Sequence, residues 1–303
     1  MEEQPDTSIV IASFSSIQHL DKCLTSLKAY AKGADVIVST IFTAEQLAPL
    51  QQRFNFKIIL NPDEQYLQSA RLRETRVFRL RTRGVQAAQG KKIILLEDHC
   101  EVTPKWLDSL QATLKNQQCI AGGSVTNKAD ASVYSWALYW SEYAAMMPPL
   151  PTKGLTYLSA VNCGYFKTAL DACKSTWQAG FYDNEVHDAL VKQGAKYCPA
   201  THATVYTSLP FSFNQALVHL YTGGKRYGSY RGGSQWTIQR AIRVLSTLAV
   251  PAVLLARIFK LVRSRQPQRI KTFVVAWPVL YLLLAAWGLG ELSGTLKGMK
   301  KKS

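Results

Sequence analysis

Apolar positions along the first 125 residues fall into two alternating kinds of segment. Residues 8–12, 35–38, 56–60 and 92–96 are short, nearly continuous apolar runs, as strands buried on both faces require. Between them Leu20, Cys23, Leu24 and Leu27 recur at helical spacing, and a second helix is predicted around residues 44–54. A long helical stretch then runs from about Gln68 to Gln89 and stops at Gly90. Thr103-Pro104 predicts the start of a further helix, with a cap residue followed by proline. Strands separated by helices make crossover units, so the fold class is α/β, with a mainly parallel sheet flanked by helices. In such a sheet ligands bind past the carboxyl ends of the strands. The residues found there are Ser13-Phe14-Ser15-Ser16, Ser39-Thr40, Asn61-Pro62 and Glu97-Asp98-His99. Neither a G-x-G-x-x-G after the first strand nor a G-x-x-x-x-G-K-[ST] is present, against a dinucleotide oxidoreductase and a P-loop NTPase.

From Trp236 the pattern changes, which divides the chain at 235/236 into a domain of 1–235 and a segment of 236–303. Residues 244–256 form a short apolar run bracketed by Arg240, Arg243, Arg257 and Lys260, and residues 273–289 a longer one with Trp277 and Trp287 near its ends. Charge follows this division: of a net +16, +11 lies in the last 68 residues, where the only acid is Glu291. Basic clusters beside apolar runs point to membrane lipids as the partner, whereas a nucleic-acid binder spreads its charge over the folded domain. Basic residues flank the longer run on both sides, so a helical hairpin that dips into the cytoplasmic leaflet fits better than a single crossing. A buried helical pair in a soluble domain is the alternative. Six cysteines without a C-x-x-C pair suggest buried thiols in a reducing compartment. The polar, acidic start offers no signal peptide, so the chain is expected to begin in the cytosol and to work at the cell membrane from the cytoplasmic side.

The densest chemistry is Glu97-Asp98-His99. Adjacent carboxylates at the edge of an apolar strand need a counter-charge, and Mn²⁺ or Mg²⁺ held by Glu97, Asp98 and His99 would supply it. A solvated loop or helix cap is the plain alternative. Residues 71–83 carry six arginines, a density suited to phosphate but also to a solvated helix. The glycine-rich, basic stretch 223–233 would suit a mobile loop whose Lys225, Arg226 and Arg231 close over a diphosphate, or a linker meeting lipid headgroups. Trp136, Tyr139, Trp140, Tyr143, Met146 and Met147 could stack on a sugar, although their helical spacing equally suits core packing.

Several of these stretches together resemble family 2 glycosyltransferases, nucleotide-sugar enzymes with the GT-A (Rossmann-like) fold. Glu97-Asp98-His99 resembles the family's Asp-x-Asp region, and residues 8–15 its first nucleotide-contacting loop. Arg81-Thr82-Arg83-Gly84, with Ala88-Gln89-Gly90, is similar to its Arg-Asn-x-Gly…Ala-x-Gly helix. Residues 122–127 resemble the strand beside the sugar, and residues 161–166 the segment under it. Asp183-Asn184-Glu185-Val186-His187 is similar to the acidic segment that carries the base. The resemblance implies an inverting, hexosyltransferase-type enzyme of polysaccharide biosynthesis, with a nucleotide-sugar donor and a lipid-linked or glycan acceptor. It implies donor contacts from Ala12, Ser13, Phe14, Ser15, Ser39, Arg81, Gly84, Asp98 and Asn162, to which Arg226 and Arg231 of the basic stretch are expected to add theirs. Glu185 is the expected base, with Asp183 second. Two departures stand out: Ser39-Thr40-Ile41 replaces Asp-Asp-Gly-Ser, and His99 stands where a metal-binding Asp is usual. They keep open a non-catalytic nucleotide-binding or scaffold protein on the same fold.

Overall fold

The computed structural model describes residues 5–65, 70–232 and 249–297. The four apolar runs form β1 (Thr7–Ser13), β2 (Asp35–Thr40), β3 (Lys57–Leu60) and β4 (Lys92–Glu97), paired in parallel. Ile9, Val10, Ile11, Ile37, Val38 and Ile93 through Leu96 are all fully buried, as covering helices on both faces require. Those helices are α1 (Ile17–Tyr30), α2 (Ala44–Gln51), α3 (Pro62–Gln65) and α4 (Ala70–Ala87). Ser16 caps α1 by accepting from His19 N, and Thr43 and Gln46 cap α2 reciprocally. Gly84 lets α4 lie directly on β1, since a Cβ there would meet Val10 Cγ1 at 2.3 Å.

Beyond β4 follow β5 (Cys100–Val102), α5 (Trp106–Thr113), β6 (Cys119–Asn127), α6 (Val133–Tyr143) and β7 (Asn162–Phe166). Then come α7 (Lys167–Ala172), α8 (Lys174–Trp177), α9 (Asp183–Lys192), β8 (Lys196–Thr207), α10 (Phe213–Gly232), α11 (Val250–Arg265) and α12 (Ile270–Lys297). The eight strands are ordered β3-β2-β1-β4-β7-β6-β8-β5. β7 runs antiparallel to β4 and β6, and β5 antiparallel to β8, so the sheet is mixed and parallel only in its first four strands. Thr103 does not cap α5: its hydroxyl donates to Thr204 O at 2.8 Å, pinning β5 to β8, and the helix starts three residues later behind Lys105.

The chain forms two compact units. The first comprises residues 1–126 and 146–208, the second 127–145 and 209–303. Residues 127–145 and 209–232, which the sequence pattern groups with the first domain, thus belong to the second unit. The boundary at 235/236, Arg240, Arg243, residues 244–248 and Lys300 through Lys302 lie outside the described residues.

Within the second unit residues 223–232 of the glycine-rich stretch are helical, not a loop. It forms the second half of α10, and its glycines permit contact with α12. A Cβ at Gly228 would lie 2.2 Å from Glu291 O, and one at Gly290 1.9 Å from Tyr221 O. Gly224 and Gly294 are equally close to the opposing backbone. The aromatic cluster is core as well: Trp136, Tyr139 and Trp140 are buried, with Arg269 4.5 Å above the Trp136 ring and Phe273 5.4 Å from Trp140. On α12 the other face stays exposed, with Val274, Val275, Trp277, Tyr281, Leu282, Leu289 and Leu296 along it. Pro267–Lys297 is long and apolar enough to cross a membrane, the one such helix among the described residues.

Gly290→Leu is expected to destabilise the protein by about 2–3 kcal/mol through overpacking against Tyr221 O. Leu289→Ala, on the exposed face, should stay within about 0.5 kcal/mol. Thermal unfolding of the two variants, compared with wild type, measures the difference.

Candidate active site

The parallel register sets Ala12 beside Glu97, and Asp98 N donates to Ala12 O at 3.2 Å, so the end of β1 and the turn after β4 form one edge. Asp98 grips the loop after β1. Its Oδ2 accepts from Phe14 N and Ser15 N, both at 2.8 Å, and from Ser13 Oγ at 3.2 Å, while Oδ1 accepts from Ser15 Oγ at 2.7 Å. Burial pushes the Asp98 carboxyl up to about 7, against the pull of the donors from Ser15 and Phe14.

Glu97 meets a different partner. Its Oε1 accepts from the Arg81 guanidinium in a buried ion pair, with both side chains less than a tenth exposed. Burial by itself lowers the Arg81 pKa; the Glu97 and Asp183 carboxylates outweigh it and hold the guanidinium above its ordinary value. His99 completes the turn, its Nδ1 3.5 Å from Glu97 Oε2 and 3.9 Å from Asp98 Oδ1, its ring edge-on to Phe14.

The counter-charge that adjacent carboxylates require is therefore present in the chain itself, as Arg81. As arranged, the three side chains do not fit a divalent cation. One Glu97 oxygen faces a guanidinium and Asp98 has four donors upon it. Among the described residues no three His, Cys, Asp or Glu side chains are placed to hold a metal.

Helix α4 also seats the second acidic segment. Thr82 Oγ1 donates to Trp177 O at 2.8 Å, Phe181 N donates to Phe78 O at 2.9 Å, and the Phe78 and Tyr182 rings lie 4.2 Å apart. Asp183 and Glu185 follow in the first turn of α9, both half-buried. Asp183 accepts from Tyr157 Oη at 3.1 Å, Ala160 N at 3.3 Å and Asn184 N at 3.1 Å. Behind it His187 is enclosed by the Tyr157, Tyr165 and Tyr197 rings and hydrogen-bonds Tyr165 Oη through Nε2 at 2.8 Å. Burial pushes its pKa down to about 4.

The remaining sequence candidates are placed as follows. Ser39 Oγ accepts from Asn61 Nδ2 at 3.2 Å, and Asn61 Oδ1 accepts from half-exposed Arg83 at 2.6 Å. Gly84 lies under α4 against Val10. Asn162 is a buried node: its Nδ2 donates to Ser124 O and Ala203 O, and its Oδ1 accepts from Trp106 Nε1. Arg226 and Arg231 are on α10 in the second unit, where Arg231 donates to Tyr227 Oη at 3.2 Å and lies 3.9 Å from Glu291. Of the six arginines at 71–83, the side chains of Arg71 and Arg73 lie outside the described residues. The sequence reading missed Asn61 and Arg83 as partners of Ser39, although Arg83 follows Arg81 at a spacing that the Arg-Asn-x-Gly comparison covers. Tyr157 carried no sequence signal, since it sits in irregular chain before β7.

A mixed sheet with parallel strands whose carboxyl ends gather a serine loop and an acidic turn, beside a second acidic helix start, has the layout of the GT-A fold. A sequence model described as Glycosyl transferase family 2 matches residues 8–173, and the chain belongs to that family. No curated protein matches the chain. Its family makes the protein a glycosyltransferase, taking a sugar from a nucleotide-sugar donor to an acceptor, and enzymes of the family commonly use a divalent metal.

His187 gives the site a pH signature in stability. Its folded pKa, about 4, lies below the unfolded value of about 6.5, so the unfolded chain takes up the proton first as pH falls. Stability is expected to drop by about 3 kcal/mol between pH 7 and pH 4 from this group alone. Urea unfolding across that range checks it, and His187→Asn should flatten this part of the profile.

Proposed function

We propose that the protein is an inverting glycosyltransferase that moves a hexose from a nucleotide-diphosphate donor to a hydroxyl of a lipid-linked or polysaccharide acceptor. It works at the cytoplasmic face of the cell membrane. The observation that carries the reading is the edge where the 13–15 loop after β1, the acidic turn after β4 and, two strands from β1, Asn61 after β3 with its partner Arg83 stand at the carboxyl ends of parallel strands. A nucleoside diphosphate laid across that edge would meet the half-buried Phe14 and Ser15 and the half-exposed Arg83.

Glu185 is the base. It takes the proton of the acceptor hydroxyl while that oxygen bonds the anomeric carbon. The bond to the diphosphate breaks on the opposite face, and the leaving group departs with the electron pair, so one carboxylate suffices and the anomeric centre inverts. Asp183 is the weaker candidate, because it accepts hydrogen bonds from Tyr157 Oη and Ala160 N and so serves to tie down residues 157–160. Asp183 and Asn162 thus hold the floor of the site. The Mn²⁺ or Mg²⁺ common in the family would meet Glu97, Asp98 and His99 only after Arg81 had released Glu97. The exposed apolar face of Pro267–Lys297 and the basic residues of α11 support the membrane location.

The sealed acidic turn also favours a second reading, a nucleotide-binding scaffold without turnover. Purified protein incubated with a panel of nucleotide sugars and membrane lipid extract separates them: the enzyme releases nucleoside diphosphate and the scaffold does not. For the enzyme, Glu185→Gln is expected to lower turnover by at least about 10²-fold while leaving donor affinity unchanged. Normal turnover in that variant would remove Glu185 as the base.

A further inference from the structure

We infer that the Glu97-Asp98-His99 turn is a closed clamp rather than a cation site, and that the donor's diphosphate binds without a divalent metal. The statement about the diphosphate rests on the glycosyltransferase reading; the statement about the turn does not.

A hard cation needs outward-facing oxygen lone pairs and room for its remaining ligands. Mg²⁺ in particular keeps several waters. Glu97, Asp98 and His99 are 6%, 1% and 3% exposed, which leaves little access for such a hydrated ion. Asp98 spends its lone pairs on Ser13, Phe14 and Ser15, and these bonds fix the path of the loop between β1 and α1. Glu97 spends Oε1 on Arg81, and the His99 ring stands 3.5 Å from its other oxygen. A metal entering here would place a second cation within a few ångströms of a guanidinium in a low-dielectric interior, where like charges repel strongly.

The turn therefore has Glu97 paired with a cation of the chain and Asp98 engaged by four donors before any ligand arrives. The negative charge that grows on the departing diphosphate falls to groups of the chain. In the first unit Arg83 is suited to that role, half-exposed and held by Asn61 after β3, two strands from β1 on the same edge of the sheet.

Two measurements on the full chain test this. Calorimetric titration with UDP, GDP, CDP and ADP, in excess Mn²⁺ and in EDTA, is expected to give dissociation constants that agree within about twofold for each nucleotide that binds. A tightening of about tenfold or more in Mn²⁺ overturns the inference. Electron paramagnetic resonance of Mn²⁺ added to the nucleotide-free protein is expected to show an unattenuated free-ion signal. Attenuation that disappears in Glu97→Gln, or in His99→Asn should the first variant not fold, overturns it as well. If none of the four nucleotides binds in either condition, the donor reading fails. The Mn²⁺ signal then still decides whether the turn holds a cation.

Discussion

The guanidinium of Arg81, taken out of water between two carboxylates, is the constraint on which the first unit is arranged. Removing one member of a buried pair of this kind costs about 3–5 kcal/mol, because the other charge is left unbalanced. Glu97 could not sit at the end of β4 without it, and the turn that follows could not bring Asp98 beneath the 13–15 loop. The same helix, α4, carries Phe78 and Thr82, which hold the chain leading into α9. One helix face thus positions the loop proposed to meet the nucleotide and the carboxylate proposed to meet the acceptor.

Much of this was legible in the chain, and for a definite reason. Short continuous apolar runs such as 93–96, set between helical stretches, fit strands covered on both faces, so β1, β2 and β4 and their crossover helices follow from hydrophobicity, whereas β3 proves to be a half-exposed edge strand. The second half of the sheet was hidden: β7 and β8 come after irregular chain, and their pairing is antiparallel and long-range. Residues of the acidic turn were recognisable, but not their partners. Repulsion between Glu97 and Asp98 signals that a counter-charge must exist; it does not say whether an ion or a side chain supplies it. Arg81 lies 16 residues away and was one of six similar arginines, so only the fold singles it out.

The glycines of 223–233 show the same limit in another form. Glycine satisfies two opposite demands, freedom in a loop and close approach in a packed helix, and the local sequence does not distinguish them. The deciding information is Gly290 and Gly294, more than sixty residues further on. Likewise the stripe of tryptophans and tyrosines on α6 became core because Phe273 and Arg269 cover it.

That glycine-lined seam has a temporal side. Ribosomes add about 5–20 residues per second, so α10 is complete roughly 3–13 s before its mate α12, which ends 65 residues further on, has been synthesised. During that interval the main chain at Gly224 and Gly228 has no α12 to cover it, so the final packing of α10 cannot form before α12 exists.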